Sequence, residues 1–378
     1  MTGLKHRAMA VLYRLGGVRV LHLLGRILAP PSIRILYAHR VHTERDSHEP
    51  ESEGCLTAAR FERRIRYLAR RYHVIGMAEA VSQLASRRVT RRDQAVITFD
   101  DGYADNLDAC RMLKRYGLPA TVYVTTGPLD DGRPLWFVAV RRAFEQTRAG
   151  RVAFPWSAAA LPLTTARERH VASAEAVAAL KKMPPAARVD CTRDLFAAMS
   201  VDCADTACSK DRMLTWPEVG GLANEPLFTV GAHTVTHQIL SAAPMEEAAR
   251  EIEQSTADLQ RALGTRPRTF AFPNGKAGDY LPDHASLLRS CGHTSACTTE
   301  PGVNCAGADL FALRRESLYG CEPFYVFALR MAGINEVSES LQAIARAAGR
   351  AASTLVRGRG GRMRATLRDR VPGDTTSS

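Results

Sequence analysis

The 378-residue sequence has no acidic residue in its first 42 positions, no Cys-x-x-Cys pair, and no long uncharged apolar run. Without the roughly 18–20 apolar residues that span a bilayer, a polytopic membrane protein is excluded. Nine cysteines without ligand spacing exclude a zinc finger, and their odd number argues against a disulfide scaffold. The start of the chain also lacks a secretory signal with a small-residue cleavage site. The expectation is therefore a cytoplasmic protein with reduced thiols. Aromatics make up only 7%, and none interleaves with the Arg-rich run near the C-terminus. No nucleic-acid partner is expected from such a run.

What is present is a net charge of +12, unevenly placed. Residues 1–42 carry Lys5, Arg7, Arg14, Arg19, Arg26, Arg34 and Arg40, and residues 346–378 carry eight Arg against Asp369 and Asp374. The middle of the chain is then close to neutral, at about −1. Basic ends fit an anionic neighbour, and peripheral contact with the inner membrane face is one reading. Between Ala8 and Ala29 the chain reads as an amphipathic helix, with Arg19, His22 and Arg26 on one face and Pro30-Pro31 as its stop. Such a helix either lies on an anionic membrane or packs against the protein, and the sequence leaves both open. The expected organisation is an N-terminal amphipathic helix over 1–31, a catalytic domain over 32–335, and a basic, partly disordered tail over 336–378.

Within the central region, short β-branched runs alternate with helical stretches. Ile33–His39, Ala95–Phe99, Ala120–Thr125, Leu227–His233 and Thr269–Phe272 read as strands, and Met245–Leu263 as an amphipathic helix ended by Gly264. This β-α-β rhythm predicts a parallel sheet or barrel. It breaks between about 130 and 212, which reads as a helical insertion over one face of the domain.

Two strand ends carry chemistry: Asp100-Asp101-Gly102 after the second run, and His233…His237 after the fourth. Taken singly, an Asp-Asp-Gly turn and two histidines four apart have ordinary structural readings. Together they make one carboxylate and two imidazoles with coordination positions left open, which suits a catalytic divalent metal. The second aspartate is then available as a general base toward water.

The motifs TFDDGYADN (98–106), GAHTVTH (231–237) and FAFPNG (270–275) resemble the polysaccharide deacetylase superfamily, the NodB-homology carbohydrate esterases. LYAHRV (36–41), PATVYVTTG (119–127), MLTWPEVGGLA (213–223) and LFALRRESL (310–318) are similar to segments of its exopolysaccharide-biosynthesis branch. The resemblance covers roughly residues 33–335. It implies a distorted (β/α)7 barrel with its site at the C-terminal strand ends. It also implies a metal triad of Asp101, His233 and His237, usually holding zinc, with Asp100 as base. The Tyr103 backbone N–H would help hold the oxyanion, and Phe272, Pro273 and Asn274 would form a wall of the groove.

The chain departs from the family in places. No C-terminal Leu-x-His motif supplies a general acid, so the resemblance to the branch points to His39, although Ala38 stands where a Tyr is usual. Arg315 falls where the branch carries an arginine, which would orient Asp100, but Arg314 replaces the preceding Pro. His293 reads as structural. Trp136, in the insertion, is a candidate sugar platform, and Trp216 reads as the anchor of a helix start. The implied activity is metal-dependent hydrolysis of an N-acetyl group on a sugar in a polysaccharide, or in its lipid-linked or nucleotide-linked precursor. The alternatives are deformylation or another amide hydrolysis on a lipid-linked aminosugar, and a lapsed member that only binds glycan.

Overall fold

The computed structural model describes residues 3–42, 55–157, 159–202, 211–318, 322–342 and 346. These divide into two compact units, one of residues up to Pro30 together with those from Pro323, the other Pro31–Glu322.

The larger unit is built on seven parallel strands: β1 (Ser32–Ala38), β2 (Gln94–Phe99), β3 (Ala120–Val124), β4 (Phe228–Ala232), β5 (Thr269–Ala271), β6 (Ser295–Cys297) and β7 (Arg315–Ser317). Hydrogen-bonded neighbours run β6-β5-β4-β3-β2-β1-β7, all parallel. A single parallel bridge, Cys297 to Leu313, joins β6 to the segment that feeds β7. The sheet therefore curls round on itself, as expected of a distorted seven-stranded barrel. Strands β2 and β3 are buried along their whole length, which is why they read as continuous apolar runs and not as alternating ones.

The interior is filled by successive strands: Ile33 and Ile35, Val96, Tyr123, Ala271 and Cys297, with Leu313, and by Met77, Ala80 and Leu84 of helix Met77–Ala85. Tyr123 fixes one local requirement. A Cβ at Gly231 would lie 2.5 Å from its ring, so glycine is needed where β3 and β4 meet. Parallel strands end at a common edge, and that shared geometry gathers the loops after β1, β2, β4 and β5.

The interruption over 130–212 contains helices Trp136–Gln146, Ala166–Leu180 and Pro185–Ala198. They enclose a core of their own, including Val140, Phe144, Phe154, Ala176, Leu180, Leu195 and Phe196.

The smaller unit corrects one expectation. In place of one helix there are two, Gly3–Arg14 and Gly17–Leu28, bent by 90°. Gly16 adopts φ +80°, a left-handed turn that glycine enters without penalty. Helix Phe324–Met331 falls in the same compact unit as these two helices. Residues 334–342 are helical. The remainder of the expected tail, apart from residue 346, lies outside the described residues. Among the described cysteines, Cys110, Cys191, Cys291 and Cys297 form no disulfide.

Candidate active site

Strand β2 delivers Phe99 and then two aspartates whose side chains part. Asp101 has φ +75° and Gly102 φ +87°, so the chain turns through two left-handed residues. Carboxylates adjacent in sequence thereby reach different partners. Both are almost completely buried, at 2% and 1% exposure, and a buried carboxylate needs a partner.

Asp100 pairs with Arg315 at the start of β7. Arg315 donates from its two terminal nitrogens to Oδ1 and Oδ2, each at 2.7 Å. The guanidinium is itself fixed, since Nε donates to the Thr298 carbonyl at 2.6 Å and one terminal nitrogen donates to Thr98 Oγ1 at 3.0 Å. Its flat face lies 4.8 Å from the Tyr37 ring centre. Burial by itself would raise the pKa of Asp100. The Arg315 charge and hydrogen bonds outweigh it and hold the carboxyl below its ordinary range. Arg315, and not Arg314, occupies the position that orients Asp100.

Asp101 Oδ1 lies 3.3 Å from Nε2 of both His233 and His237, and the three ligand atoms fall within 4.8 Å of one another. His233 Nδ1 sits 2.7 Å from the Ala271 carbonyl, which can only accept. The ring therefore carries its proton on Nδ1 and turns a lone pair on Nε2 toward Asp101. Asp101 Oδ1 accepts no hydrogen bond of good geometry although it is buried. Lone pairs converging on one point call for a cation between them. Burial lowers the pKa of His237, which favours the neutral, ligating imidazole. Asp101 stays ionised. Burial opposes this, but its electrostatic surroundings, His39 foremost, hold its pKa well below the usual carboxylate value. The residues present fit a divalent metal.

The loop bearing the two histidines is strained, with Thr234 at φ +65° and His237 at φ +56°. Glu251, on helix Met245–Leu263, braces it. Its carboxylate accepts from the N–H groups of Val235 and Thr236 at 2.8 and 2.9 Å, and from the Thr236 hydroxyl at 2.7 Å. Nothing local in the sequence marks this glutamate; it is found only through the fold.

The other expected residues gather around this centre. His39 follows β1, its carbonyl accepts from Asn106 Nδ2 at 2.8 Å, and it lies close enough to act electrostatically on both Asp100 and Asp101. Next to it, Arg40 ties Asp105 and Asp211 together at 3.0 and 2.8 Å and lies 4.8 Å from the Tyr103 ring centre. Tyr103 pairs with Met213, but the hydrogen bonds belong to its neighbours, Ala104 N–H to Arg212 and Leu214 N–H to Gly102. In such a pair the Tyr103 N–H points away from Met213.

Phe272 is buried and stacks on Tyr280 at 4.6 Å. Asn274 accepts from Lys181 Nζ at 3.0 Å and donates to Asp279, so both ends of its amide are engaged. Lys181, at the end of helix Ala166–Leu180, acts electrostatically on His237 and gave no signal in the sequence. Trp136 directs Nε1 to the His237 carbonyl at 3.5 Å, while Arg188 covers one face of its ring at 4.8 Å. Phe137, beside it, packs edge-on against the His237 ring at 5.0 Å. Trp216 starts its helix and hydrogen-bonds Asp130. His293 is a core residue that packs against Phe270 and pairs with Thr256.

The family model for polysaccharide deacetylase matches residues 190–296, a span that holds both histidines and the 272–274 wall. No curated protein matches the chain in sequence. Among solved structures, the Streptococcus pyogenes deacetylase PplD in complex with acetate superposes with a TM-score of 0.53 at 17% identity, covering 79% of this chain and 98% of that one. IcaB from Ammonifex degensii gives a TM-score of 0.51 at 18% identity, covering 80% and 97%. A polysaccharide deacetylase from Bacillus cereus gives 0.51 at 15%, covering 80% and 69%.

Proposed function

We propose that this chain is a NodB-type polysaccharide deacetylase, a hydrolase of carbon–nitrogen amide bonds, that removes the acetyl group from an N-acetylated sugar; the family match over residues 190–296 and the shared fold support this reading. The substrate is a glycan or its lipid-linked or nucleotide-linked precursor, and the setting is cytoplasmic. Asp101, His233 and His237 hold a divalent cation. Zinc is the metal that best suits two imidazoles and a carboxylate with positions left open. When bound, it would supply Lewis-acid polarisation of the acyl oxygen and make water a stronger acid.

The chain's own groups account for the remaining steps. Asp100, kept ionised and aimed by Arg315, accepts the proton of the attacking water. The Tyr103 N–H donates to the oxyanion that develops on the acyl oxygen. His39 gives a proton to the departing amine, which is far too basic to leave without one. Phe272 and Pro273 form a groove wall, and Trp136 stands on the side of the insertion.

The observation that carries this reading is the division of labour between two adjacent aspartates, Asp100 on an arginine and Asp101 on two imidazoles. Acetate release from an N-acetylated oligosaccharide, measured with metal content, tests it. Asp100→Asn should keep the metal and lose about 10²–10⁴-fold in turnover, while His237→Ala should lose the metal. Metal loss in Asp100→Asn would reverse the two aspartate roles. Formate in place of acetate, from an N-formylated sugar tested in parallel, would change the acyl group and leave the site assignment standing.

A further inference from the structure

The large hydrophobic side chains left in water are concentrated in one place. Of eleven such residues among those described, Val11, Leu12, Leu15, Val20, Leu23 and Ile27 fall within a stretch of the first two helices. The others, Val171, Val189, Met245, Leu281 and Leu341, are scattered singly, which is ordinary for a protein surface. Leu15, Leu23 and Ile27 are 80%, 61% and 66% exposed.

The pattern repeats in the two helices. Arg7, Val11, Arg14 and Leu15 have the same spacing as Arg19, Leu23, Arg26 and Ile27. At 3.6 residues per turn, each set puts two arginines along one edge and aliphatic side chains along the adjoining stripe. The opposite faces are occupied. Helix Gly17–Leu28 buries Gly17, Val18 and Leu21, while His6 and Tyr13 of the first helix meet Tyr325 and Phe324. The exposed stripe is therefore held outward by packing behind it.

We propose that this helix pair is a docking surface for an anionic lipid bilayer, lying in the plane of the interface. Charge complementarity selects the occupant. Residues 3–28 of the two helices carry five cationic side chains, Lys5, Arg7, Arg14, Arg19 and Arg26, and no acid, so a second copy of the same surface would bring like charges together. Anionic headgroups pair with Arg7, Arg14 and Arg19, and the acyl boundary beneath them takes the aliphatic stripe. Neither helix can span. Each has 12 residues, about 18 Å of rise, and the pair is bent by 90°.

The test is co-sedimentation of the full-length chain with phosphatidylcholine vesicles, with and without phosphatidylglycerol, at low and high salt. The expected result is binding to the anionic vesicles only, released by salt. Leu23→Ser with Ile27→Ser should weaken partitioning by about tenfold or more. Arg14→Gln with Arg19→Gln should weaken it by about fivefold per arginine at low salt. Neither pair should change the melting temperature, because all four side chains already face water. Equal binding to neutral vesicles, or undiminished binding by both double variants, overturns the proposal. So does a dimer that Leu23→Ser dissolves, which would assign the surface to a second copy. Protein that stays with the vesicles after alkaline extraction would show a spanning segment and overturn it too.

Discussion

The loops at the mouth of the barrel and the helices of the insertion are built in opposite ways. Six described residues other than glycine have a left-handed backbone, and four of them, Asp101, Thr234, His237 and Asn274, lie in the site loops. Each such residue costs of order 1–3 kcal/mol and persists only where its surroundings over-determine it. Here much of the surroundings is distant in sequence: Glu251 for the histidine loop and Lys181 for Asn274, with Arg315 holding Asp100 next to the strained Asp101. The insertion's one such residue, Ser200 at φ +54°, is held locally, its N–H donating to the Ala197 carbonyl. Helix Ala166–Leu180 opens with a local capping box, in which Thr165 Oγ1 accepts from Glu168 N–H and Thr165 N–H donates back to the Glu168 carboxylate. Its helices then close over their own apolar core. Strain borne by remote contacts marks the functional region, and locally satisfied geometry marks the scaffold.

Removing the remote contacts should sharpen this difference. Arg315→Met leaves Asp100 buried without its ion partner, and loss of one member of a buried pair typically costs about 3–5 kcal/mol. Denaturant unfolding of the purified variant measures it, with the midpoint expected to fall sharply. A stability equal to that of the parent would mean that Asp100 finds another partner. A smaller effect is expected from Glu251→Ala, which frees three donors of the histidine loop while leaving every proposed ligand in place. Metal affinity should fall about 10–100-fold, as for other groups that orient ligands. Titration against a competing chelator would detect this, and an unchanged affinity would show that the loop holds its shape without the brace. The smallest effect belongs to the scaffold. Thr165→Ala should cost about 1 kcal/mol, the usual value of an N-cap, with no change in metal affinity or turnover. A change in either would tie the insertion's helix to the site and break the contrast.

Much of the site was legible before any fold was seen. The four groups proposed as base and metal set were legible only in combination: Asp-Asp and His-x-x-x-His each end a run that reads as a buried strand, and singly each has an ordinary structural reading. Asn274 was legible as a position but not as a role, since its amide turns out to be occupied by Lys181 and Asp279. The first helix was misjudged for a similar reason. Its apolar periodicity continues across Gly16-Gly17, and periodicity does not register a single left-handed residue.

By itself the sequence determined what local chemistry determines: which segments become strands, where helices start and stop, and which side chains can hold a metal or accept a proton. These follow from side-chain shape, backbone freedom and donor type within a few residues of each position. Only the tertiary structure decided which arginine meets Asp100, across 215 positions of chain. The same is true of the glutamate that holds the histidine loop and the lysine that reaches the groove wall. It also decided which apolar side chains of the first two helices stay in water. Each of these depends on strand order and on how helices seat against their neighbours. A buried charge or a strained turn is stable only where the fold brings its partner within bonding distance, and residue spacing along the chain does not contain that distance.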